Sequence, residues 1–146
     1  MFEIIPYDLM LTIHIVAFVL NVALVVVADG LGALWVLGRL ERLNADVLNN
    51  IHKFLWAGLL LSVITGALMA YESIEYLLTV PAFQIKLVFV TALVINSFVI
   101  HKHIQVPVVS SFSEVDSRTK KSLLVSGVVS TVSWISVVIC AQFLGL

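Results

Sequence analysis

Four histidines lie within or at the ends of long apolar stretches: His14, His52, His101 and His103. Inside a membrane helix an ionisable residue costs about 3 kcal/mol or more, so such residues face the interior and mark a task. A neutral imidazole offers one lone pair, which suits it to haem iron and to divalent metals. Asp29 and Lys86 also lie within these stretches, and both could handle protons or balance charge. In the first stretch His14, Asn21 and Asp29 are seven and eight residues apart, which places them within about 80° on one helix face. The fourth stretch carries a second polar stripe, Ser122, Ser126, Ser130 and Ser133, whose simplest use is close helix packing.

Two metal chemistries fit this set. In the first, His52 and His101 form an axial pair for the iron of haem b, since helical bundles readily hold a porphyrin between facing helices. Arg39, Arg42, Lys53 and Lys102 cluster at the same end, where they could meet the haem propionates. His14 would then serve a second haem or an outer quinone or porphyrin site, with Lys86 and Asp29 handling charge and protons. In the second, His52, His101, His103 and Asp29 bind zinc or another divalent ion for binding or transport. Structural readings stand beside both. His103 borders Lys102 and His52 borders Lys53, as interfacial residues do; Glu72 could pair with Lys86, and Asp29 could hydrogen-bond Asn96. A non-catalytic membrane subunit held together by its polar residues is the third reading.

The elements that must position these residues follow from composition. The chain has 146 residues, 61% of them hydrophobic and 12% charged, with a mean hydropathy of +1.12. Soluble domains carry roughly 25% charged residues, and no water-soluble fold of this size hides so much apolar surface. An integral membrane four-helix bundle is expected, all-α and antiparallel in up-down order, forming a single domain over residues 1–146. A span needs about 20 apolar residues, which predicts helices over about 9–37, 50–71, 81–101 and 123–144. The first lacks a basic leader segment and is longer than a signal sequence, so it is read as a retained helix. Asn44 or Asp46 suits the cap of the second helix, Pro81 the first turn of the third. Ser111 with Glu114 fits a capping box, with Ser117 as a competing cap nearer the fourth span.

Seven of the eight basic residues flank the first and third connections: Arg39, Arg42, Lys53, Lys102, Arg118, Lys120 and Lys121. The other side offers Glu3, Asp8, Glu72 and Glu75 with Lys86. The positive-inside rule therefore predicts both termini on the non-cytoplasmic side of a bacterial plasma membrane. Folding the chain about residues 43 and 78 puts His52, His101 and His103 together at the basic end, and His14 level with about Glu72 and Lys86. Cys140, the single cysteine, is read as a small apolar core residue. No phosphate-binding loop, nucleophile elbow, HExxH or dinucleotide fingerprint is present, and nothing supports nucleic-acid binding. Partners would be lipid, a quinone, a porphyrin or a redox protein, and self-association stays open.

Several short segments are together familiar: Ile13-His14-Ile15-Val16, Gly38-Arg39-Leu40, Trp56-Ala57-Gly58-Leu59, Thr65-Gly66 and Lys86-Leu87. Across nearly the whole chain this pattern resembles small bacterial four-helix membrane proteins of uncharacterised function. It is loosely similar to haem-b-containing membrane protoporphyrinogen oxidases and to copper-resistance D proteins. The resemblance implies haem binding, with His14 and Lys86 at the positions of the first-helix histidine and third-helix lysine. The aromatic-proline-arginine signature that closes the oxidases' first helix is replaced here by Ala33-Leu34-Trp35-Val36-Leu37-Gly38-Arg39.

Overall fold

The computed structural model describes residues 5–144. Four long helices run through it: α1 (Tyr7–Val36), α2 (Ala45–Ala70), α4 (Pro81–His103) and α6 (Ser117–Phe143). Two one-turn helices, α3 (Ile74–Leu77) and α5 (Val106–Val109), and two 3-10 turns, Tyr71–Ser73 and Phe112–Glu114, fill the connections. All four long helices have the length and apolarity to cross a membrane. Their outward faces stay apolar; Val26, Val88 and Val128 are each more than 60% exposed, as lipid contact requires.

Local chemistry sets the boundaries. α1 closes in a Schellman turn: Gly38 takes φ +71°, its N–H donates to the Trp35 carbonyl, and the Arg39 N–H donates to the Leu34 carbonyl. Of the two caps expected for α2, Asn44 is the one used, its side chain accepting from the Val47 N–H. Pro81 sits in the first turn of α4 as expected. The Ser111–Glu114 capping box forms, but it closes the 3-10 turn Phe112–Glu114 rather than opening the fourth span. That span is capped by Asp116, which accepts from the Thr119 N–H at 3.0 Å; Ser117 is the first helical residue. Both α2 and α6 therefore begin several residues before their apolar runs, because a helix starts at its cap and the cap lies in the polar interface.

The bundle is built from two hairpins. α1 packs closely on α2 and α4 closely on α6, whereas α1 touches α6 only sparsely. Small residues allow the close pairs. A Cβ on Gly58 would overlap the Asn21 carboxamide, and one on Gly66 would come within 3.2 Å of the His14 ring. Across the other hairpin Ser126, Ser130 and Ser133 are buried, so most of the serine stripe is a packing seam. Large side chains fill the space between hairpins: Val25, Leu93, Trp134 and Val137, with Phe18, Leu55 and Phe89 around them. A second cluster of Trp35, Leu43 and Val115 closes the end that carries most basic residues. There the two connections are bonded together. Trp35 Nε1–H donates to the Ser110 carbonyl at 3.1 Å, and the Leu43 N–H donates to the Pro107 carbonyl at 2.8 Å.

Candidate functional site

At the end of the bundle that holds the chain termini, one residue from each long helix shares a neighbourhood around the His14–Thr65 contact. His14 comes from α1, Thr65 from α2, Lys86 from α4 and Cys140 from α6. His14 Nδ1 lies 2.9 Å from Thr65 Oγ1. The Thr65 hydroxyl proton is already committed to the Leu61 carbonyl at 2.7 Å. Its oxygen must therefore accept, and the bond network assigns the proton of the neutral imidazole to Nδ1. Nε2 is left with its lone pair unspent. Lys86 is close enough for its charge to act on His14, and the buried Cys140 is its neighbour on α6. Gly66 gives the ring its space.

This placement differs from the sequence-based expectation by about two helical turns. His14 stands opposite Thr65 and Gly66 rather than Glu72, because α2 begins at Ala45 rather than at about residue 50, which centres the first connection near residue 40 instead of 43. Glu72 is exposed in the 3-10 turn beyond, and the expected Glu72–Lys86 pair is not formed; Lys86 lies in the neighbourhood of His14 and Cys140.

The seam between α1 and α2 continues as a polar line toward the middle. Asn21 is 1% exposed, and its Nδ2 has no hydrogen-bond partner; nor has the buried hydroxyl of Ser62. An unmet buried polar group costs about 1–3 kcal/mol, so this seam has unused capacity for hydrogen bonds. Asp29 does not reach Asn96, correcting the expected pair. Asp29 accepts from Thr131 of α6 at 3.0 Å. Asn96 is matched instead with Ser126: its Nδ2 donates to the Ser126 carbonyl at 3.0 Å, and the Ser126 hydroxyl donates to its Oδ1 at 2.7 Å.

At the basic end His52 and His101 do meet. His52 Nε2 and His101 Nδ1 are 3.0 Å apart, with ring planes 20° from parallel. Trp56 Nε1–H also donates to His52 Nε2, at 3.1 Å, and Trp56 packs edge-on to Phe98. His52 Nε2 has one lone pair, so the Trp56 indole and His101 Nδ1 compete for the same position. Two opposed iron ligands would stand about 4 Å apart, twice a metal–imidazole bond of about 2 Å, with the macrocycle between them. Nitrogens in direct hydrogen-bond contact do not fit that role. His103 does not join the pair: its Nδ1–H donates to the Val99 carbonyl of its own helix at 2.9 Å. Arg39 is exposed beyond the end of α1, bonded through its backbone N–H. Among the described residues no three His, Cys, Asp or Glu side chains gather as a metal site, so the four-residue zinc set of Asp29, His52, His101 and His103 is not assembled.

Three partners were not singled out from sequence: Thr65, Trp56 and Thr131. Trp56 carried a usable signal, lying one turn beyond His52 on the same face. Thr131 carried none, because only the assembled bundle puts α6 beside α1. No family model matches the chain, and neither a curated protein nor a solved structure is similar enough to match it.

Proposed function

We propose that the protein is a haem-b-binding membrane redox protein whose iron ligand is His14, in a bacterial plasma membrane with both termini outside. The observation that carries this reading is the His14–Thr65 bond. Haem and metal ligands of the histidine type commonly donate one ring N–H to an acceptor, which fixes the ring and leaves the other nitrogen for the metal. Thr65 does this for His14. Bound haem b would supply one-electron chemistry. The surrounding residues have separate parts: Thr65 orients the imidazole, Gly66 leaves the ring its room, and Lys86 offers a cation to a carboxylate. Asp29, held by Thr131, keeps an exchangeable proton site on the α1/α6 side. Electrons would arrive through lipid, by a quinone or porphyrin, or from a partner protein. His52 and His101 are weaker claimants, because their facing nitrogens already bond to each other.

A reduced-minus-oxidised visible spectrum of protein purified in mild detergent tests this directly. A Soret band with reduced α and β bands is expected for the wild type. His14→Ala should abolish or shift it, while His52→Ala and His101→Ala leave it in place. A colourless wild type made with ample haem supply overturns the haem reading; loss of colour only in the His52 and His101 variants moves the ligand to the other end.

A further inference from the structure

The lipid-facing side of α4 and α6 carries a groove of about 590 Å³. Ala92, Ile95 and Val99 form one wall, Val125 and Val129 the other. Its floor is the Asn96–Ser126 pair, whose polar atoms are spent on each other. The floor therefore asks nothing of a polar ligand and suits an alkyl chain. The mouth is different. Arg118, Lys121 and Ser122 line it at the basic end, both cations are exposed, and no acidic residue belongs to the lining. From Arg118 to Val129 the helix advances about 16 Å, which is half the hydrocarbon thickness of about 30 Å. The groove thus has the depth of one leaflet, cationic at headgroup level and apolar below.

We infer that this groove seats one anionic phospholipid, its phosphate on Arg118 and Lys121 and one acyl chain between α4 and α6. The charge pattern selects the occupant: a second copy of the chain would bring more basic residues to the same level, whereas an anionic headgroup neutralises them. Ser122 adds a hydroxyl within the mouth for a headgroup oxygen. The site is independent of the His14 end.

Native mass spectrometry of the full-length detergent-solubilised protein, titrated with phosphatidylglycerol or with phosphatidylcholine of the same chains, tests the inference. The anionic lipid should be retained preferentially. Arg118→Gln with Lys121→Gln should weaken its binding about 30-fold, taking about 1 kcal/mol for each basic side chain near the surface. Val125→Trp should weaken it with both cations intact, and this position is lipid-facing, so the bundle tolerates the change. Arg42→Gln, a basic residue outside the groove, should leave binding as it was. Equal retention of the two lipids overturns the proposal, as does unchanged binding in the double variant. So does displacement by inorganic phosphate together with indifference to Val125→Trp, which would mark a small-anion site only.

Discussion

Gly58 has no side chain because Asn21 uses that space. Adding one methyl there by Gly58→Ala should destabilise the α1–α2 pair by about 1–3 kcal/mol, the usual cost of overpacking. Denaturant unfolding in detergent would measure it. Asn21→Ala in the same chain should recover most of the loss, because the two residues share one contact; an additive double variant would refute the overlap. Thr65 supports a sharper prediction. Thr65→Val keeps the shape but removes the acceptor for His14 Nδ1, so haem affinity should fall 10- to 100-fold, the range found for partners of metal-ligating histidines. Thr65→Ser should retain binding. Equal spectra and affinities in both variants would leave the His14–Thr65 bond without a functional part. At this scale the residues themselves were legible and their partners were not. His14 and Asn21 stand out as polar groups in an apolar run, but Gly58 and Thr65 gain meaning only when the register of α1 against α2 is known.

Helix starts are set by polar residues outside the spans. Asp116 is drawn below the ordinary aspartate range by its own capping bond to Thr119. Glu114 is lowered by its bonds to Ser111, backbone first. Groups with a depressed folded-state value add stability above their unfolded value, and that stability is lost as pH falls through the folded one. The caps should thus hold unchanged across neutral and mildly acid solution and release only below about pH 4, the ordinary carboxyl range. An NMR titration following the Thr119 and Ser111 amide shifts checks this; midpoints at or above the ordinary range would contradict the capping geometry. Asp116→Ala should fray the first turn of α6, and Asp116→Asn should not. The four helices were readable from apolar runs alone, because the bilayer demands about 20 such residues from each. Their starts were less so, since Asn44 and Asp116 cap inside polar segments that hydropathy passes over. The fold-back about the second connection located His52 beside His101, for that connection is nearly symmetric. The same exercise misplaced His14, because the Asn44 cap starts α2 at Ala45, ahead of its apolar run, and so moves the centre of the first turn toward the N-terminus.

Taken as a whole, the molecule is two tight hairpins joined by bulky side chains, and the proposed orientation puts its basic end in the cytoplasm. Labelling would decide the orientation. Ser73→Cys, in the exposed turn after α2, should react with a membrane-impermeant maleimide added to intact cells, and Glu41→Cys only after permeabilisation. Cys140 is 7% exposed and contributes little background; the reverse pattern would invert the protein. The bonds from Trp35 to Ser110 and from Leu43 to Pro107 have a mechanical consequence. They clip the hairpins together at the basic end, while at the opposite end the chain itself ties α2 to α4. Along the flank between α1 and α6 the ties are side chains alone: Thr131 donates to Asp29, and Phe18 packs on Trp134. With a backbone tie at each end, the two hairpins are restrained against sliding past one another along their long axes.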